Sequence, residues 1–138
     1  MEIDYTQKLS LLLVDDVAVH RFLMASGIEG INPFITIDQA ASLDEAIAKL
    51  STNSYSAVIS DWSMPGGSGT DLVRWMRARP QYQCVPFIMV SGKEWDDGVA
   101  SALREQQVDA YIVKPPAPRD LYEKMMNAME KRRKSATF

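Results

Sequence analysis

Residues 56–65, Ser-Ala-Val-Ile-Ser-Asp-Trp-Ser-Met-Pro, constrain the fold more than any other stretch. Ala57, Val58 and Ile59 form a short apolar run with no polar alternation, the pattern of a strand buried on both faces in a parallel sheet. The run ends on Asp61. Pro65 and the glycines at 66, 67 and 69 follow directly and cannot continue a strand. Asp61 is therefore expected at the carboxyl end of its strand, facing a loop, on the edge where open α/β sheets bind ligands.

Other runs repeat this pattern. Leu11-Leu12-Leu13-Val14 closes on Asp15-Asp16, residues 85–90 close on Ser91-Gly92, and Ala110 to Val113 closes on Lys114 ahead of Pro115-Pro116. Phe34 to Ile37 alternates and is rich in β-branched residues, so it reads as a further strand. Helical stretches lie between these runs. From Val17 to about Gly27, the apolar positions Val19, Phe22 and Leu23 recur at helical spacing, and Gly27 suits a helix end. Ser42-Leu43-Asp44-Glu45 is a capping box, with Ala46, Ile47 and Leu50 as the inner stripe behind it. Ser68 or Thr70 opens a helix whose core face is Leu72, Trp75 and Met76, stopping before Pro80. Val99, Ala100 and Leu103 mark the next helix. Pro118 opens the last, with Leu121, Met125 and Met129 toward the sheet. Five alternations of strand and helix predict an α/β fold, a parallel sheet with helices on both faces. Right-handed crossovers then bring all strand carboxyl ends to one edge.

A length of 138 residues suits one domain. Residues 1–8 read as a polar lead-in, 9–130 as the domain, and 131–138 as a basic tail. Lys131-Arg132-Arg133-Lys134 reads as a solvated helix end, with a basic contact patch as the alternative. No apolar run approaches the roughly 20 residues of a membrane span, and the N-terminus lacks the order of a signal peptide. No membrane association and a cytoplasmic location are expected. The single cysteine, Cys84, fits a reducing compartment and is expected to be a small buried hydrophobe. A net charge of −3 gives no reason to expect direct nucleic-acid binding.

At the shared edge the chain delivers Asp15, Asp16, Asp61, Ser91 and Lys114 from four strands. Three neighbouring carboxylates repel one another unless a cation is present. No cysteine or histidine partner makes a zinc site, and an all-oxygen set with few protein ligands suits Mg²⁺. Mg²⁺ beside a lysine is what the oxygens of a transferring phosphoryl group need. A carboxylate can itself be the nucleophile, forming an acyl phosphate, and Asp61, alone on its strand end, is the candidate.

These residues resemble the receiver domain of two-component response regulators, from about Leu9 to Met129. The likeness rests on Asp15-Asp16, on Asp-x-x-Met-Pro-x-x-x-Gly from Asp61 to Gly69, on Ser91-Gly92 and on Lys114-Pro115. It implies a doubly wound, flavodoxin-like parallel sheet of order 2-1-3-4-5, with Asp16 and Asp61 meeting at the switch point. It implies Asp61 as phosphoacceptor, Asp16 as a direct Mg²⁺ ligand, Asp15 as a ligand acting largely through water, and the Ser63 backbone carbonyl as a third ligand. Lys114 would pair with a phosphoryl oxygen, Ser91 would be the switch hydroxyl and Tyr111 the switch aromatic. A cis peptide before Pro115 is expected. The implied partners are a sensor histidine kinase or histidine phosphotransfer protein, and a downstream protein target on the face of helix 4, strand 5 and helix 5. The only chemistry implied is the domain's own phosphorylation and dephosphorylation. The chain departs from the family pattern at Gln107, where a glycine is usual, and in the bulk of Trp62. Lys93 and Ser63 occupy positions that tune phosphoryl lifetime.

Other readings fit less well. The glycine loop lacks the Gly-Lys-Ser/Thr of a P-loop. An aspartyl phosphatase of the haloacid dehalogenase type would want a second aspartate where Ser63 stands. His20 is expected to face solvent or pack partly, rather than to serve as a phosphorelay histidine. The competitor from another class is a receiver fold used as an interaction module without phosphorylation. The complete set of acidic pair, acceptor and lysine argues against it.

Overall fold

The computed structural model describes residues 2–93 and 96–135. In chain order it contains β1 (Leu9–Val14), α1 (Ala18–Ile31), β2 (Ile35–Ala40), α2 (Leu43–Thr52), β3 (Ala57–Asp61), α3 (Gly69–Arg77), a 3-10 turn (Pro80–Tyr82), β4 (Phe87–Ser91), α4 (Asp97–Gln106), β5 (Ala110–Val113) and α5 (Pro118–Ser135). The strands form one parallel sheet in the order β2-β1-β3-β4-β5. This is the doubly wound, flavodoxin-like arrangement. The pairings Val14 with Ser60, Asp61 with Val90, and Ser91 with Val113 bring the strand ends level. The polar residues that end the strands therefore share one edge.

Alternation along the strands divides the core in two. Leu11, Leu13, Ile59 and Ile88 pack with Ile28, Leu121 and Met125 under α1 and α5. Leu12, Val58 and Met89 face the other way, onto Leu50, Leu72 and Val99 of α2, α3 and α4. The helix starts follow local chemistry. Ser42 Oγ accepts from the Glu45 amide at 3.1 Å, while the Glu45 carboxylate reaches back to the Ala41 amide, one residue before the cap. Ser68 and Asp71 cap α3 reciprocally.

Several expectations need correction. Val19, Phe22 and Leu23 are 57%, 64% and 60% exposed, and the buried stripe of α1 is Met24, Ala25 and Ile28. Gly27 does not end this helix. A Cβ there would meet Pro118 Cγ at 2.6 Å, so the glycine lets α1 close on the start of α5. β2 begins one residue later than expected and runs on to Ala40. Trp75 is half-buried, stacked on Tyr82 at 5.2 Å beneath the Arg79 guanidinium, and Val73 takes the core position instead. Cys84 is exposed.

Residues 131–135 are the end of α5 and not a tail, and 136–138 lie outside the described residues. The lead-in is strapped down. Tyr5 stacks on Tyr122 at 5.4 Å and donates to Glu123, and the Tyr122 hydroxyl donates to the Asp4 carbonyl. No helix among the described residues is long and apolar enough to cross a membrane.

Candidate functional site

The carboxyl edge of the sheet gathers Asp15, Asp16, Asp61, Ser91 and Lys114. Asp61 ends β3 and is only 8% exposed. The Trp62 amide donates to the Val90 carbonyl at 3.1 Å, which ties the loop to β4 immediately after the acid. The loop closes where the Gly69 amide donates to the Trp62 carbonyl at 2.8 Å. A side chain at 69 would run into the Asp61 carbonyl and the Met89 thioether, so this glycine is required by close approach. Ser63 is exposed in this loop.

Asp15 is fully buried beyond the end of β1. Its Oδ1 accepts from the Val17 amide at 2.9 Å and its Oδ2 from Lys114 Nζ at 2.7 Å. Asp16 is exposed. One oxygen from each of Asp15, Asp16 and Asp61 lies within 4.8 Å of the others. Three carboxylate oxygens at that spacing, with no sulfur or nitrogen among them, fit a hard divalent cation.

Burial raises the Asp61 carboxyl above the ordinary aspartate range. Lys114 opposes that shift and the Asp15 charge adds to it. Lys114 Nζ is 3.4 Å from Asp61 Oδ2, longer than its contact with Asp15. The Lys114–Pro115 peptide is cis, as expected, and the Lys114 amide donates to the Ser91 carbonyl at 2.8 Å.

Ser91 is buried, and its Oγ accepts from the Lys93 amide at 3.1 Å. The half-buried Tyr111 donates its hydroxyl to the Lys93 carbonyl, and its ring meets Trp62 edge-on with centroids 6.1 Å apart. Ser91 and Tyr111 are thus linked through Lys93 at the start of the β4–α4 loop, and Tyr111 meets the neighbour of Asp61.

Two residues join the site that the sequence reading did not place there. His20 Nδ1 lies 3.1 Å from Lys114 Nζ, and Arg21 donates to the Asp15 carbonyl at 2.6 Å. A signal for both was available. They lie in the first helical turns after the acidic pair, where α1 leaves the same sheet edge.

Comparison with known proteins agrees with this geometry. The family model described as "Response regulator receiver domain" matches residues 11–126. The chemotaxis protein CheY1 of Helicobacter pylori is 34% identical over 118 residues, which is 85% of this chain and 94% of that protein. The transcriptional regulatory protein ResD of Bacillus subtilis is 35% identical over 118 residues, 86% of this chain, and the chain spans only 47% of its length. Among solved structures, a CheY-like response regulator receiver domain protein from Methanospirillum hungatei superposes with a TM-score of 0.81 at 25% identity, covering 94% of this chain and 99% of that one. The match runs from β1 into α5, through every strand end that supplies the site, and the chain belongs to the response regulator receiver domain family.

Proposed function

We propose that this domain accepts a phosphoryl group on Asp61 in a Mg²⁺-dependent reaction, from the phosphohistidine of a sensor kinase or phosphotransfer protein. The observation that carries the reading is the convergence of Lys114 Nζ on both Asp15 and Asp61, at 2.7 and 3.4 Å, beside three carboxylates close enough to share one cation. In the transfer an Asp61 oxygen attacks phosphorus, the P–N bond to the donor imidazole breaks, and an acyl phosphate forms. Water later cleaves it to inorganic phosphate and restores the carboxylate. These two steps are the only chemistry proposed for it, with the cytoplasm as its compartment. Asp15, Asp16, Asp61 and the Ser63 carbonyl are the proposed ligands, and Mg²⁺ held there would supply positive charge against the incoming phosphoryl oxygens. Lys114 adds a second cation there, and buried Ser91 a hydroxyl donor.

The donor's docking face is proposed on α1. Phe22 and Leu23 are 64% and 60% exposed, and Leu23 lines an apolar groove of about 610 Å³ together with Lys114 and Pro115. A protein that brings a phosphohistidine to Asp61 would pass over this lip, because Lys114, 3.4 Å from Asp61 Oδ2, is among the residues that line the groove. The downstream target is proposed on the separate face formed by α4, β5 and α5, where Tyr111 lies.

Incubation with Mg²⁺ and acetyl phosphate tests the reading. A mass gain that maps to Asp61 and is lost in Asp61→Asn is expected. Labelling at another residue, with Asp61→Asn unaffected, overturns it. A receiver fold acting only as an unphosphorylated interaction module would show no labelling at all.

A further inference from the structure

His20 is the only histidine in the chain, and its place beside Lys114 has a chemistry of its own. The imidazole Nδ1 is 3.1 Å from Lys114 Nζ and 3.6 Å from Asp15 Oδ2. An ammonium has three protons and no lone pair. At the contact with Nζ the ring nitrogen is therefore the acceptor, and the ring proton sits on Nε2. Three acceptors then surround Nζ: Asp15 Oδ2 at 2.7 Å, His20 Nδ1 at 3.1 Å and Asp61 Oδ2 at 3.4 Å. They come from the end of β1, from α1 and from the end of β3.

The two carboxylates are contested partners. A cation held by the acidic cluster competes with Lys114 for Asp15, and an acyl phosphate on Asp61 presents new oxygens that Nζ must follow. The imidazole is not one of the groups close enough to share a cation, which are Asp15, Asp16 and Asp61. It is the one acceptor of the three that need not change when the others do. Lysine is a point charge on a flexible four-carbon stem, so an additional fixed acceptor restricts where that charge sits. The His20 side chain is 43% exposed, so its packing contribution is modest and a leucine of similar bulk could replace it. The hydrogen-bond acceptor is what a leucine cannot supply.

We propose that His20, accepting through Nδ1, is a positioning residue that holds the Lys114 ammonium at the mouth of the phosphoacceptor site and so sets the rate at which Asp61 gains its phosphoryl group. This rests on the phosphoacceptor reading above.

The test compares wild type, His20→Leu and His20→Asn, the last placing an amide oxygen close to where Nδ1 lies. Phosphorylation by acetyl phosphate in Mg²⁺ is followed by intact mass over a range of donor concentrations. His20→Leu is expected to lower the maximal rate about 5-fold, the scale of one ordinary hydrogen bond, without changing the donor concentration at half-maximal rate. His20→Asn is expected to recover most of the loss. In a Lys114→Ala background, His20→Leu should make no further difference, because the effect runs through the lysine. A His20→Leu protein that labels like wild type overturns the role of His20, as does an equal loss in the Lys114→Ala background. Failure of wild type to label at all overturns the phosphoacceptor reading, and this proposal with it.

Discussion

The hydroxyl of Tyr111 donates to the carbonyl of Lys93, and the amide of the same lysine donates to Ser91 Oγ at 3.1 Å. One backbone residue thus connects the Ser91 hydroxyl to the Tyr111 hydroxyl, the two groups proposed to act as a switch. If Ser91 turns its hydroxyl onto a phosphoryl oxygen, the Lys93 amide loses its acceptor, and the backbone that carries the Tyr111 hydrogen bond can move with it. A hydrogen bond to a charged group is strong enough to change a two-state population about 10- to 100-fold.

Hydrogen exchange with and without beryllofluoride, a phosphoryl mimic, measures this. The Lys93 amide is expected to lose protection on adding the mimic, together with changes over residues 108–125. In Ser91→Ala the amide should exchange fast from the start, and the response at 108–125 should largely vanish. Changes confined to the loops beside Asp16 and Asp61 would show that signalling does not use this face.

Metal binding should be visible from Trp62, the residue next to Asp61. Titration with Mg²⁺ is expected to quench its fluorescence. Asp16→Ala should weaken the titration more than Asp15→Ala, because Asp15 already serves Lys114 and the Val17 amide while Asp16 is exposed. Equal affinity in Asp16→Ala and wild type would remove Asp16 from the ligand set.

The buried Asp61 carboxyl titrates above the ordinary aspartate value of 3.8. Its ionised form is therefore disfavoured by folding, and the sign follows from linkage. The penalty is absent below the unfolded value, grows as pH rises through the unfolded and then the folded value, and is complete above both. In a metal chelator, Asp61→Asn is expected to unfold at a higher temperature than wild type at neutral pH. That advantage should fade as pH falls toward 3.8. Thermal melts across this range check it, and a constant difference at all pH values would show that charge burial is not its origin.

Gln107 caps α4 in the left-handed region, at φ 56°. Its carbonyl is held by both Arg77 and Arg132, at 3.2 and 3.1 Å. Those contacts use backbone, so Gln107→Gly keeps them while removing the Cβ strain. A gain of about 0.5–1 kcal/mol is expected, the left-handed cost less the entropy of the added glycine. Denaturant unfolding measures it, and a loss of stability would place the value of Gln107 in its side chain.

The layered α/β fold, the strand ends and the acid, hydroxyl and lysine at one edge were legible in the sequence, because each depends on local chemistry. Leu11 to Val14 and Ala57 to Ile59 are apolar without alternation, and Pro65 and the glycines end the central strand whatever surrounds it. Parallel crossovers then have one handedness, so the meeting of Asp15, Asp61 and Lys114 follows from the order of elements. Helix faces were less legible. Val19, Phe22 and Leu23 have the same helical spacing whether they meet a sheet or water. Tertiary packing decided the matter, because Gly27 closes on Pro118 and turns Met24, Ala25 and Ile28 inward. The same holds for Cys84, whose composition says nothing of its exposure, and for His20 and Lys114, which lie 94 positions apart. Local pattern sets which residues can form strands and caps. Only the closed fold sets which side chains come within hydrogen-bond distance, since that depends on how α1 rotates and how closely it approaches the sheet edge.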